Sequence, residues 1–188
     1  METVKIGIIG CGEFSAFHIR ALSQFPDVRI TAVCSRNSAN SQKSVQLIQE
    51  SCPPPDDEPV AVYTDYADIV HHPNLDAVTV CTPPPVHAGP AIAAANAGKH
   101  VFCEGPMAVD LGQCDAMIAA ARSKQIRITV QHTNRFNRNA RMAKKALSEG
   151  LLGKVLMAKM DFFAPGAGDA YSGLATHNWR ATWKGSGG

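Results

Sequence analysis

The chain has 188 residues, 18 basic against 16 acidic side chains for a formal charge of +2, and 45% apolar residues. That apolar content excludes disorder over the whole length, and the length suits one globular domain plus a remainder. The charge is scattered, with no block of about five like charges, so no footprint for nucleic acid or an anionic membrane is present and small molecules are the expected partners.

The opening METVKIGIIG enters a strand pattern at once and lacks the basic start and apolar core of a signal peptide. No run of about 18 apolar residues follows anywhere, so a cytoplasmic protein is expected. The first strand, 4–9, leads into Gly10-Cys11-Gly12-Glu13-Phe14-Ser15. Gly10 permits a tight turn and Gly12 lets the backbone approach a pyrophosphate. A helix opening near Glu13 and Phe14 presents its N–H groups and positive dipole end to that anion. Ser15 fills the third, close-packing position of the fingerprint. Along this helix Phe14, Phe17, His18, Ala21, Leu22 and Phe25 fall on one face, which is predicted to pack on the sheet.

The second strand, 29–34, ends in Cys34-Ser35-Arg36 without an acid. An acid at this point reads the ribose hydroxyls in NAD sites, whereas an arginine accommodates the 2′-phosphate of NADP. Arg36 is expected to stack on adenine and pair with that phosphate, with Ser35 donating to the same oxygens. NADP is therefore favoured over NAD; the bland alternative is an ordinary exposed arginine, with NAD held by main chain. Further strands are expected at 61–63, 77–81, 100–103 and 127–131, and helices at about 39–50, 65–71, 86–97 and 111–123. Gly98 closes the fourth helix, and Asp110 with Gln113 opens the fifth as a capping box. Residues 51–59 (SCPPPDDEP) form a proline-rich acidic surface loop. Strands alternating with helices in this way mark the α/β class, a Rossmann-type doubly wound parallel sheet.

After 132 the pattern changes. A helix over 134–149 ends at Gly150, and a strand over 154–163 alternates wetter and drier faces. One strand with loops cannot bury a core. The chain is therefore expected to hold a dinucleotide-binding domain at 1–132 and, at 133–188, the start of an α+β open-sheet domain that it does not complete. The six cysteines stand singly, with no C-x-x-C pair or zinc-like His spacing, so neither a disulfide framework nor a metal site is expected; four of them end apolar runs as small buried hydrophobes.

Three ordered motifs carry a resemblance: residues 10–15 with His18; Cys81-Thr82-Pro83-Pro84-Pro85-Val86-His87; and Ala97-Gly98-Lys99-His100-Val101-Phe102-Cys103-Glu104-Gly105-Pro106. The chain resembles the glucose–fructose oxidoreductase / inositol dehydrogenase / rhizopine-catabolism (Gfo/Idh/MocA) family, whose pattern is T-P-x-x-x-H followed by A-G-K-H-V-x-x-E-K-P. The resemblance implies oxidation or reduction of a sugar, cyclitol or related polyol by nicotinamide, and pairing of copies through the open sheet of the second domain. The residues agree with it. Thr82 and Pro83 end the fourth strand at its carboxyl edge, where ligands bind in open α/β sheets, and would line the nicotinamide-ribose side. His87 either holds that loop, touches the cofactor, or simply packs locally at a helix start. Glu104 either holds a ribose hydroxyl or steers the carboxamide, or is a strand-end carboxylate in water. Trp179-Arg180 matches a pair that relatives place against the cofactor, with a structural role equally open.

One departure bears on the chemistry. Where the family has a lysine that assists proton transfer, this chain has Gly105. Hydride removal from a C–OH needs a proton acceptor near the oxygen, and glycine is none. Three accounts remain open. Another side chain takes over, with His132 after the sixth strand and His177 as candidates; Gly105 makes room for a bulkier substrate, with water as relay; or the protein is a non-catalytic dinucleotide-binding regulator or scaffold. A redox step serving hydrolysis or elimination, with the cofactor recycled, also occurs in this family. Arg135 follows the sixth strand, either facing the crevice or sitting at the domain junction.

Overall fold

The structure, a computed structural model, describes residues 3–53 and 58–159. In chain order these form β1 (Val4–Ile9), α1 (Glu13–Leu22), β2 (Val28–Cys34), α2 (Ser38–Ser51), β3 (Ala61–Tyr63), α3 (Tyr66–Ile69), β4 (Ala77–Val80), α4 (Ala88–Asn96), β5 (His100–Cys103), α5 (Leu111–Ser123), β6 (Ile128–Val130) and α6 (Arg138–Ser148). Short 3-10 turns at Pro84–Val86 and Thr133–Phe136 precede α4 and α6. All five strand pairings are parallel, in the order β3-β2-β1-β4-β5-β6. The chain thus winds outward from β1 to β3, then crosses back and winds the other way from β4 to β6. The carboxyl ends of β1 and β4 are where the winding reverses, and a crevice opens there.

Both faces of the sheet are covered, which is why its strands read as near-continuous apolar runs. On one face Ile6 and Ile8 of β1 pack with Ile19 of α1 and Ile48 of α2. On the other, Ile9, Val78, Val80 and Val101 pack with Ala91 and Ala94 of α4 and Met117 of α5. The alanines of α4 bring that helix close to the strands. Each fully buried Ile or Val side chain contributes on the order of 1.5–3 kcal/mol relative to exposure.

Most expected elements form, and the local signals behind them are visible. Asp110 accepts from the Gln113 backbone N–H at 2.8 Å and from its side-chain amide at 2.7 Å, so the two cap α5 together. Gly98 ends α4 at φ +75°. Asn37 and Asp65 cap α2 and α3. The helix expected at 86–97 is divided instead, because Pro84 and Pro85 have no N–H to donate and their segment forms a 3-10 turn. The helix expected at 134–149 is likewise preceded by a 3-10 turn and begins only after Asn137, whose extended backbone and side-chain cap start α6.

Two expectations are corrected. The face of α1 that meets the sheet is Ser15, His18, Ile19 and Leu22, whereas Phe14, Phe17 and Phe25 are 45%, 66% and 55% exposed. The glycine turn sets the helix phase: Ser15 is buried with its hydroxyl on the Gly12 carbonyl, and the phenylalanines are carried outward. Residues 154–159 form no strand, and Leu156 and Met157 in them are exposed. A strand needs a ladder partner, which the described residues do not offer this segment. The remainder of that expected strand, and residues 54–57 of the proline-rich loop, lie outside the described residues. Among the described residues, no helix is long and apolar enough to cross a membrane.

The corrected face of α1 gives a direct test. Ile19→Ala empties a fully buried position and should cost about 2–5 kcal/mol in urea unfolding. Phe17→Ala should stay within about 0.5 kcal/mol of wild type.

Candidate functional site

A cavity of about 670 Å³ opens at the carboxyl ends of β1, β2, β3, β4 and β5. Gly10, Gly12, Glu13 and Phe14 line it from the first loop, Ser35 and Arg36 from the end of β2, Thr82, Pro83 and His87 from the end of β4, and Glu104 with Gly105 from the end of β5. The volume lies within the usual range of small-molecule sites, roughly 300–1,000 Å³.

The two glycines serve different ends. Gly10 has φ +96°, and a Cβ there would lie 2.8 Å from the Cys81 carbonyl carbon and the Thr82 nitrogen. Only glycine lets the β1 turn pass that close to the end of β4. Gly12 has φ −89° and ψ −167°, extended backbone open to any residue, and a Cβ there would meet nothing within 4 Å. Its missing side chain leaves space beside the start of α1, which no side chain caps.

At the β2–β3 end, Arg36 is exposed, and among the described residues its guanidinium has no hydrogen-bond or ion-pair partner. The Ser35 hydroxyl accepts from the Asn37 N–H at 3.2 Å. Asn37, Asn40, Thr64, Asp65 and Tyr66 line the same wall and were not foreseen from the sequence. The signal was present: β3 lies beside β2, so whatever follows β3 adjoins whatever follows β2. Asp65 is the acid that the end of β2 lacks, but its Oδ1 accepts from the Ala67 N–H and caps α3.

At the β4–β5 end, His87 is fully buried. Its Nε2 lies 2.6 Å from the Thr82 carbonyl oxygen and its Nδ1 2.8 Å from that of Pro106, so the ring fastens the β4 loop to the β5 loop. The Thr82 Oγ1 is buried without a hydrogen-bond partner among the described residues. Glu104 is not a carboxylate in water: its Oε1 lies 2.5 Å from His18 Nε2, with the two side chains 17% and 12% exposed. The hydrogen bond from His18 holds the Glu104 carboxyl below the usual carboxylate range, against the upward push of burial, with help from the His18 charge, the Gly105 backbone N–H and the His87 charge. His18 is the functional-looking residue whose partner sequence reasoning missed. Pairing it with a residue 86 positions away requires knowing that α1 reaches across to the end of β5.

Gly105 is crowded. A Cβ there would lie 2.7 Å from the Gln131 carbonyl oxygen, so the end of β6 occupies the space a side chain would need. Gly105 itself still lines the cavity. His132 is exposed and does not line the cavity, nor does Arg135. His177, Trp179 and Arg180 lie outside the described residues. All six cysteines are free. Burial pushes the Cys11 thiol up, the Cys34 and Cys103 thiols up to about 12, and the Cys81 thiol well above its usual range.

The residues present fit a dinucleotide. Open space at an uncapped helix start suits a diphosphate, the unpaired arginine beside the first turn of α2 suits a further anion, and the orphaned Thr82 hydroxyl suits a sugar or amide group.

Comparison with known proteins agrees. Residues 4–132 match a family model described as an oxidoreductase family with an NAD-binding Rossmann fold. The chain is similar to myo-inositol 2-dehydrogenase of Thermotoga maritima, 30% identical over 152 residues, which are 80% of this chain and 42% of that protein. It is similar to an alpha-N-acetylgalactosaminidase of Shewanella oneidensis, 29% identical over 161 residues, 83% of this chain and 34% of that protein. Among solved structures it matches myo-inositol 2-dehydrogenase of Lactobacillus plantarum with a TM-score of 0.77 and 26% identity, covering 96% of this chain and 51% of that one. The chain thus spans about half or less of the length of the relatives it matches.

The His18–Glu104 pair makes stability depend on pH with a definite sign. Glu104 binds its proton less tightly folded than unfolded, so its contribution is complete above the ordinary Glu range near pH 4.3 and is lost as pH falls through the lower folded value. Glu104→Gln should therefore be about 1–2 kcal/mol less stable than wild type at pH 7. In urea unfolding at a series of pH values, that gap should narrow below about pH 4.

Proposed function

The chain belongs to the Gfo/Idh/MocA oxidoreductase family, and on that premise we propose that its cavity holds a nicotinamide dinucleotide, NADP in preference to NAD, for hydride transfer to or from a sugar, cyclitol or related polyol. The observation that carries this reading is the open space over Gly12 at the uncapped start of α1, beside a Gly10 that no other residue can replace. Gly10, Gly12 and the first turn of α1 would hold the diphosphate. Thr82, Pro83 and Glu104 would hold the nicotinamide riboside, with the loop carrying Thr82 and Pro83 kept in place by His87. Ser35 and Arg36 would take the 2′-phosphate, helped by the absence of any acid in the first turn of α2 and by the commitment of Asp65 to capping α3. When bound, the nicotinamide supplies the group that accepts or gives the hydride. The polyol class is supported by the inositol dehydrogenases among the relatives.

One observation favours a second reading, a dinucleotide-binding regulator or scaffold without turnover. A dehydrogenase must take a proton from the reacting hydroxyl. The position where the family carries its lysine is Gly105, and a β-carbon there would lie 2.7 Å from the Gln131 carbonyl oxygen.

Titration calorimetry tests the shared premise. Wild type should bind NADPH with a sub-millimolar Kd and NADH more weakly; failure to bind either overturns both readings. Gly12→Val should abolish binding while unfolding as wild type does, because its side chain enters only the cavity. Arg36→Ala should weaken NADPH by roughly tenfold and leave NADH unchanged, which follows from loss of one charge-assisted contact. Reduction of NADP with a panel of sugars and cyclitols then separates the readings: turnover supports the first, and binding without turnover the second.

A further inference from the structure

The pair that ties α1 to the end of β5 is unusual in its placement. His18 lies on the inward face of α1 with Ser15, Ile19 and Leu22, where an imidazole costs desolvation unless a partner satisfies it. That partner is Glu104, 2.5 Å away, and the Phe102 ring meets the imidazole edge-on with centroids 5.6 Å apart, which restricts its rotation. The contact joins two elements far apart in the chain: α1 begins at the Gly12 loop, and Glu104 follows β5, the strand beyond β4. Glu104 lines the cavity, whereas His18 does not.

We propose that His18 is the positioning residue of this site, fixing the Glu104 carboxylate in one orientation so that its remaining lone pairs accept from a hydroxyl or amide of the bound dinucleotide. The role rests on the dinucleotide reading above. A carboxylate offers about four acceptor positions. His18 takes one and the Gly105 backbone N–H another, which leaves acceptors for the cavity. The titratable groups that face Glu104 are His18 from α1, His87 ahead of α4, and Cys81 and Cys103 from the ends of β4 and β5. The two histidines favour the carboxylate, and both thiols stay protonated. Without His18, only the Gly105 N–H and the His87 charge would oppose the effect of burial on Glu104, and the pH at which it takes up a proton would rise. Ligand binding would then fail at a pH where wild type still binds.

The test is the Kd of the whole chain for NADP, measured by calorimetry between pH 8 and pH 5 for wild type, His18→Ala, His18→Gln and His18→Asn. The quantity read is the ratio of variant to wild-type Kd, in which titration of the ligand's own phosphate cancels. For His18→Ala the ratio should be smallest at pH 8 and rise about twofold or more by pH 5, because a Glu104 carboxyl that takes up its proton at higher pH is partly neutral there. His18→Gln keeps an N–H donor of similar reach and should hold the ratio near one. His18→Asn, polar but too short, should follow His18→Ala, so the Gln–Asn contrast carries the test even where the alanine variant does not fold. A ratio independent of pH, or equal for Gln and Asn, overturns the role of His18 while leaving the dinucleotide site standing. Absence of NADP and NAD binding in wild type overturns the function proposed above and this role with it.

Discussion

The arrangement of the site depends on one close approach of backbone to backbone. Where the β1 turn passes the end of β4, Gly10 lies against Cys81 and Thr82 with no room for a β-carbon, and its positive φ turns the chain away from the sheet at once. That contact joins the two strands at which the winding of the sheet reverses. It holds the floor of the crevice, sets where α1 starts, and through the phase of α1 decides which side chains meet the sheet. Ser15 goes inward and Phe14 and Phe17 outward because the turn dictates it. His18 then falls on the inward face, within reach of Glu104. A side chain at Gly10 would therefore disturb more than a loop.

What was legible in the sequence follows the range of the forces involved. The six strands, their parallel sense and the Rossmann class come from local alternation and glycine placement, and they are readable in the sequence; the order in which the strands lie is not. So were the Asp110 cap and the Gly98 terminus, which involve neighbours along the chain. The packing face of α1 was misread because six apolar or near-apolar positions at helical spacing gave a plausible stripe, while the true face was set by a turn outside the helix. The carboxyl-edge residues Gly10, Gly12, Ser35, Arg36, Thr82, Pro83 and Glu104 were placed together by topology alone. Asp65 and Asn40 escape a local reading because they adjoin the end of β2 only once β3 and α2 are packed beside it. The partner of His18 could not be read at all, because it rests on a contact over 86 positions that only the assembled helix and sheet bring about.

Glu104 and Gly105, adjacent in the chain, illustrate how the same motif can be kept and altered. Glu104 is held by His18 on one side and lies near His87 on the other, so its charge belongs to a supported arrangement rather than to solvent. One residue on, the backbone of β6 closes over Gly105. The consequence is a supported carboxylate next to a position where a β-carbon would meet a backbone carbonyl. Restoring lysine at 105 would demand that the end of β6 move by several tenths of an ångström, so the departure involves two strands rather than one letter of sequence.

The cysteines at the strand ends carry a different consequence. Cys11, Cys34 and Cys81 stand in the wall of the cavity, and Cys103 lies just behind Glu104. Thiols react with peroxides and electrophiles as thiolates. With burial pushing the thiols of Cys11, Cys34, Cys81 and Cys103 up, the thiolate form is disfavoured at all four. The cavity floor is rich in sulfur yet chemically quiet, so an oxidised environment would find little to attack there while the fold stays closed. Sulfur here serves as a compact, polarisable lining, and damage would report unfolding before it reported oxidation.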